Sequence, residues 1–386
     1  MTIRHIYLDN HATTPTDPRA VEAMAPWWSE SFGNPHSGDH WFGWTANQAV
    51  NNARSNLARL IGADPDEIIF TSGATEANNL AIIGAARARR QHRSHIVVSA
   101  IEHKCVLESA DQLKRNGFTV DIVPVDDDGQ VRLDILENLL SENTALVSVI
   151  PVNNEIGSIQ PIAGISRLCV SVGAWLHCDA AQAPAAIDLD VSSLGIDLMS
   201  LSSHKMYGPM GIGALYARAD FLSRLRPITF GGGQELGLRS GTVPTPLCVG
   251  FGKAAELMSK LGGDERLLLG ELRDTLWQGI RAIAPSAELN GGMRRRHPGN
   301  LNVMFPTLDA SALIGALQPH LAFSTGSACT TGIPEPSHVL TEIGLSLEDA
   351  ECSVRFGVGR FNSSDDIQHA LALLETAIKR LSQAVA

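Results

Sequence analysis

Four short stretches of this sequence carry reactive side chains just past apolar runs. Ser202-Ser203-His204-Lys205 closes the run 198–201 and precedes Tyr207-Gly208-Pro209. A lysine amine at that place can hold an aldehyde cofactor as a Schiff base. Asp179 follows the apolar run 175–178. An anionic carboxylate beneath a pyridine ring keeps the ring nitrogen protonated, so that the ring can serve as an electron sink. Residues 71–78, Thr-Ser-Gly-Ala-Thr-Glu-Ala-Asn, follow the apolar run 68–70 and open a helix. There glycine allows close approach, and hydroxyls with open helix N–H groups suit a phosphate. His103 lies past the run 96–99, where a flat imidazole can stack on a ring. Each has an ordinary reading by itself: a surface lysine, a helix-capping aspartate, a Ser-Gly-x-Thr cap, a structural histidine. Placed together at the strand ends of one sheet, they make a cofactor site.

Such a site needs a sheet edge, and the pattern supplies one. Residues 96–98, 120–123, 145–150, 175–178, 198–201 and 212–216 read as short buried strands, with amphipathic segments such as 134–140 and 162–172 between them. This alternation predicts a mainly parallel sheet with helices on both faces. In such sheets chemistry gathers at the carboxyl ends of the strands. A chain of 386 residues exceeds one compact core, so two domains are expected. A change comes near Gly231-Gly232-Gly233 and the helix after Pro246. From 259 onward a long helical stretch, strands at 300–305 and 322–324 and a terminal helix at 365–384 read as a second α/β domain.

A net charge of -11 disfavours direct binding to nucleic acid, which normally needs a concentrated basic face. The run Arg294-Arg295-Arg296-His297 in a Gly/Pro-flanked loop is expected to be solvated. The six cysteines are scattered without CxxC or metal-ligand spacing, which points to reduced thiols and a cytoplasmic setting, with no metal site. No apolar run has signal-peptide or membrane-spanning length, so no membrane partner is expected.

Motifs along nearly the whole chain resemble the class I, NifS/IscS-type cysteine desulfurases of the fold-type I, pyridoxal-phosphate-dependent aminotransferase superfamily. They run from Tyr7-Leu8-Asp9-Asn10-His11-Ala12-Thr13-Thr14-Pro15 and Phe32-Gly33-Asn34-Pro35-His36-Ser37 through 71–79, Glu102-His103-Lys104 and Val152-Asn153-Asn154-Glu155-Ile156-Gly157. They continue with Asp179-Ala180-Ala181-Gln182, 202–216, 231–242, 324–329, Glu335-Pro336-Ser337 and Ser353-Val354-Arg355. The resemblance implies an α/β fold with a seven-stranded-type, mainly parallel sheet. A large cofactor domain would span 15–258, and a small domain 1–14 and 259–386 would carry the loop of Cys329. It implies pyridoxal 5'-phosphate as cofactor and conversion of L-cysteine to L-alanine, with the sulfur held as a persulfide on Cys329.

Position by position, Lys205 looks like the Schiff-base lysine, Asp179 the partner of the pyridinium nitrogen, and Gln182 the donor to the ring oxygen. His103 would stack on the ring and take part in proton transfer. The step Ala74-Thr75, with Ser202 and His204, would hold the phosphate, joined by Thr242 from the other subunit of a homodimer. Asn154 and Arg355 would receive the substrate carboxylate, Arg355 through its planar fork. Lys205 or His103 would remove the substrate Cα proton, and the Cys329 thiolate would attack the substrate sulfur. Cys329 lies in Ser324-Thr325-Gly326-Ser327-Ala328-Cys329-Thr330-Thr331-Gly332, small residues suited to a mobile loop. The other five cysteines, in apolar or ordinary surroundings, read as structural. The acceptor would be a protein of iron–sulfur assembly or of tRNA, cofactor or DNA thiolation.

Three positions depart from the family pattern. Leu236 stands where arginine is common and Met210 where lysine is usual, either by neutral drift or for a changed acceptor. His11 replaces a common alanine. A selenocysteine lyase or an aminotransferase on the same fold is the nearest rival, disfavoured by the Cys329 loop. A docking platform with lost catalysis is disfavoured by intact Lys205, Asp179, His103, Cys329 and Arg355.

Overall fold

The computed structural model describes residues 4–325 and 336–385. Its strands are β1 (Ile6–Tyr7), β2 (Ile68–Thr71), β3 (His95–Ser99), β4 (Thr119–Val123), β5 (Thr144–Ser148) and β6 (Trp175–Asp179). They continue with β7 (Leu198–Ser202), β8 (Gly213–Ala217), β9 (Glu288–Leu289), β10 (Asn300–Met304), β11 (Leu321–Ala322) and β12 (Ser353–Gly357). Seven of them form one sheet in the order β2-β8-β7-β6-β5-β3-β4. Pairing is parallel from β7 through to β4, and β8 runs antiparallel to both β2 and β7. The mainly parallel sheet expected from sequence is therefore present, with one reversed strand.

Alternation along each strand divides the sheet into two packed faces. Val97, Val147, Leu176 and Met199 enter one core with the helix Trp41–Ile61, while Ile96, Val98, Leu146 and Leu198 enter the other with the helices Ala74–Arg89 and Lys104–Arg115. Burial on both faces explains why these strands read as continuous apolar runs. Val50, Ala53, Leu57 and Ile61 make one stripe of the helix Trp41–Ile61 at spacings of three and four, and all are buried. That stripe meets the helix Thr245–Ile283 closely. A Cβ at Gly252 would sit 2.5 Å from the Ala53 Cα, so glycine is required there. Truncating Leu57 to alanine would cost about 2–5 kcal/mol, a large part of the ~5–15 kcal/mol that holds a domain folded.

The helix Thr245–Ile283 is continuous over 39 residues, and the sequence boundary at 258/259 falls inside it. Its first part, through Met258, belongs to the core of the large sheet, whereas Leu269, Leu272, Leu276 and Ile280 belong to a separate core. That second core contains Ile6 and Leu8 from the amino end, Leu301 and Val303 of β10, Val354 and Phe356 of β12, and Ile367, Ala370 and Leu374 of the helix Ser364–Val385. A three-stranded sheet, β12-β10-β9, and the parallel pair β1-β11 complete it. The strand expected at 322–324 is shorter and ends at Ala322, and Ser324 instead bridges to Arg355. No described helix is long and apolar enough to cross a membrane.

Candidate active site

Because β2, β3, β5, β6 and β7 point the same way, Thr71, Ser99, Ser148, Asp179 and Ser202 finish at one edge of the sheet. The sequence-predicted residues gather there. Asp179 is 2 % exposed. Its carboxylate accepts from Asn78 Nδ2 at 2.7 Å and from the Ala181 amide at 3.1 Å. Lys205 ends the short turn Ser203–Lys205 after β7. Its Nζ donates to the carbonyls of His11 at 2.6 Å and Ala12 at 2.8 Å. Gln182 Nε2 donates to the same His11 carbonyl at 2.8 Å. The segment 9–14 thus lies as a strap across the lysine. Thr13 Oγ1 lies 3.1 Å from His204 Nδ1, and Thr14 Oγ1 accepts from the Tyr207 amide at 2.8 Å. Burial pushes the His204 imidazole down to about 4, so the ring is neutral near pH 7.

His103 caps the helix Lys104–Arg115. Its Nδ1 accepts from the Cys105 amide at 3.2 Å and lies 3.0 Å from Cys105 Sγ. Cys105 Sγ is also 3.2 Å from Asn78 Nδ2, and ligand atoms of His103, Cys105 and Asp179 lie within 4.8 Å of one another. This corrects the expectation that every cysteine other than Cys329 has ordinary surroundings: Cys105 belongs to the site. The signal available in sequence was its position two residues past His103, in the first turn of the helix. Cys169, Cys178 and Cys248 are buried, and burial pushes each thiol up, Cys169 to about 12. Glu102 is fully buried beside His103. Its Oε1 accepts from Ser99 Oγ at 2.6 Å and the Ile150 amide at 2.5 Å, and desolvation pushes its carboxyl up to about 8.

The helix Ala74–Arg89 begins at Gly73, which has φ 154° and no capping side chain, so its first N–H groups are not claimed by a cap. A Cβ on Gly73 would meet nothing within 4 Å. Open space before an uncapped helix start is what an anion requires. The acidic residue of the first turn, Glu76, is occupied by Arg239 at 2.9 Å and the Ser72 amide at 2.6 Å. Its charge therefore opposes an anion less. Ser202 is buried at the end of β7, Ala74 is half-buried, and Thr75 and Thr242 are exposed.

Arg355 comes from β12 and is 3 % exposed. One terminal nitrogen donates to Asp9 Oδ1 at 2.9 Å and Ser324 Oγ at 3.0 Å, the other to the Asn154 carbonyl at 2.9 Å. Its Nε is buried with no partner among the described residues. An unmatched buried guanidinium N–H is costly, and a carboxylate would satisfy it. Asn154 is half-buried beside this fork. Cys329 lies outside the described residues.

The basic run 294–297 is not solvated throughout. Arg296 is 5 % exposed and donates to the carbonyls of Asn290, Gly291 and Gly292 and to Asn300 Oδ1, so it closes a turn of the second domain. Leu236 and Met210 are exposed at 70 % and 63 %. Leu236 has φ 58°, unusual for a γ-branched residue.

The donor set fits pyridoxal phosphate: a buried carboxylate for the ring nitrogen, an adjoining lysine amine, a carboxamide, an imidazole and an uncapped helix start. The family description Aminotransferase class-V matches residues 6–370. The chain is 46 % identical over 376 residues to "Cysteine desulfurase IscS" of Rickettsia typhi, covering 97 % of this chain and 92 % of that one. Among solved structures, a NifS-like protein superposes with a TM-score of 0.92 at 34 % identity, covering 98 % of this chain and 100 % of that one. A structure described as SspA in complex with cysteine has a TM-score of 0.81 at 38 % identity, covering 93 % and 100 %. The chain belongs to the class-V aminotransferases, pyridoxal-phosphate enzymes of fold type I, and within them to the NifS/IscS-type cysteine desulfurases.

Proposed function

We propose that this chain takes sulfur from L-cysteine, leaves L-alanine, and carries the sulfur on Cys329 to an acceptor protein. The observation that carries this reading is the convergence of Asp179, Lys205, Gln182 and the uncapped helix start on one sheet edge, with the buried Arg355 donating to the Asn154 carbonyl and its Nε unmatched among the described residues. When bound, pyridoxal phosphate supplies an electron sink that makes the substrate Cα proton removable. Asp179, oriented by Asn78 and Ala181, would take the ring nitrogen. Gln182 would donate to the ring oxygen, and Ala74, Thr75, Ser202 and His204 would hold the phosphate. His103 would lie against the ring and, with Lys205, would move protons at the substrate. Asn154 and Arg355 would hold the substrate carboxylate. The Cys329 thiolate would then attack the substrate sulfur, forming the new S–S bond as the substrate C–S bond breaks; the released electron pair stays with the substrate, whose carbon takes up a proton to become the methyl group of alanine.

The protein acts as a homodimer in this reading, with Thr242 reaching the partner's phosphate site. Supporting this, Thr242 is exposed, and the exposed rings of Trp28, Phe32, Trp41, Phe42 and Trp44 offer an apolar surface suited to a protein partner. Leu236 and Met210 add exposed apolar side chains where relatives commonly carry charge, which favours an acceptor with a less acidic docking face. Free thiols at five described cysteines suit a cytoplasmic setting.

The test is incubation of cofactor-loaded protein with L-cysteine, following alanine and intact mass, with Cys329→Ala as control. Alanine plus a mass gain of one sulfur, both lost in the control, is the expected result. Loaded protein that yields neither, with reductant and candidate acceptors present, would overturn the activity. Light scattering decides the dimer, and transfer of labelled sulfur to an iron–sulfur scaffold or a thiolation enzyme decides the acceptor.

A further inference from the structure

His11, the residue that departs from the family pattern in the amino-terminal motif, sits inside the site. It is 3 % exposed. Its ring Nδ1 lies 3.3 Å from Gln182 Oε1, while its own carbonyl accepts from Gln182 Nε2 at 2.8 Å. One residue therefore meets both ends of one carboxamide. The pairing fixes the protons: the carbonyl can only accept, so the Gln182 NH2 faces it, and Oε1 must then accept from Nδ1–H. His11 Nε2 carries the bare lone pair and is buried with no partner among the described residues. The imidazole is neutral, because burial and the nearby His297, Arg355 and Lys205 all hold its protonation well below the ordinary histidine range. The ring packs edge-on to His297 at 4.5 Å, and it fits because residue 357 is glycine: a Cβ there would come within 2.9 Å of His11 Cδ2.

We propose that His11 is a positioning residue that clamps the Gln182 carboxamide in one orientation, so that Gln182 can present only an N–H, never its oxygen, to the cofactor's ring oxygen. The backbone carbonyl would do part of this with any residue at position 11. The ring adds the second point: without it, Gln182 Oε1 is left buried and undonated. A donor to the amide oxygen also polarises the amide and strengthens the N–H at its other end. This inference rests on the cofactor reading above.

The experiment compares paired substitutions in the full-length protein, with and without a donor at similar volume: His11→Gln against His11→Leu, and His11→Asn against His11→Phe. The readouts are the equilibrium dissociation constant for pyridoxal phosphate added to cofactor-free protein, and the visible absorbance of the bound cofactor. Loss of the donor is expected to weaken cofactor binding about tenfold and to shift the absorbance, while His11→Gln or His11→Asn stays within roughly threefold of wild type. In a Gln182→Ala background, His11→Leu should change neither readout further. Equal effects of the donor and non-donor members of a pair would show that ring volume alone matters and overturn the proposal. So would wild-type binding by His11→Leu or His11→Phe, or an undiminished effect in the Gln182→Ala background. Two pairs are used so that a misfolded member, seen by circular dichroism, leaves the other pair to decide. Wild-type protein that takes up no pyridoxal phosphate would fail at the cofactor reading itself, before His11 is compared.

Discussion

The two ends of the site are built differently. At the pyridine end, Asp179, Asn78, His103 and Cys105 come from neighbouring strands and helices of one sheet, and the key bond joins residues 101 apart in sequence. At the carboxylate end, Arg355 of the second domain reaches Asp9, Ser324 and Asn154, and its pair with Asp9 spans 346 residues. One end is fixed by the packing within a single core; at the other, Asp9 and Ser324 hold Arg355 within the second domain and the Asn154 carbonyl ties it to the first. In the proposed reading this divides the labour: the sheet would set the electronics of the cofactor, and the Arg355 fork would set substrate capture.

That division predicts different signatures. Asp179→Asn removes the charge facing the ring nitrogen and should lower kcat for alanine release by roughly two to three orders of magnitude with KM little changed. An effect confined to KM would break the distinction. Glu102 tests the pyridine end through pH. Its folded carboxyl, pushed up to about 8 from 4.5, keeps a proton that the unfolded chain has already released. The folded state then binds more protons across that window, so stability falls as pH rises, by at most about 1.4 kcal/mol per pH unit, and levels off above pH 8. In Glu102→Gln this contribution should vanish, so the variant should decline less than wild type between pH 5 and pH 8. Denaturant titrations at pH 5 and pH 8 check it, and a parallel decline in both proteins would exclude Glu102 as the source.

At the other end, Arg355→Lys keeps the charge and loses the fork. It should reduce kcat/KM by roughly 10- to 100-fold, carried mainly by KM, in steady-state assays with L-cysteine. A fall in kcat alone would place Arg355 with the chemistry rather than with capture. The smallest effect is expected for Asn78→Ala. Losing one donor to Asp179 should weaken pyridoxal phosphate binding roughly three- to tenfold, about 1 kcal/mol, as followed by cofactor titration.

Sequence pattern reached Lys205, Asp179 and His103 because each stands just past an apolar strand, where the topology of parallel sheets collects functional groups. It also foresaw most strands within one or two residues. It did not reach Asn78 or Cys105, which enter the site only through the turn positions of their helices, a geometry that needs the packed helices to become visible. Arg296 misled it, since a run of arginines in a loop looks solvated until three backbone carbonyls close around one of them. The strand β12 was legible only as a motif, because Ser353 and Arg355 place polar groups in what is a fully buried strand. His11 stood out as a departure, and its meaning required Gln182, which lies 171 residues away.

The long reach of Arg355 also bears on the order in which the molecule can be made. Synthesis proceeds from the amino end, and every strand of the seven-stranded sheet is complete once Ala217 has emerged. The pyridine end can therefore form while the rest of the chain is still being translated. Asp9, in contrast, must wait for residue 355 before the guanidinium it accepts from exists. A nascent chain that stops short of residue 355 lacks the fork at the carboxylate end, however complete its large sheet.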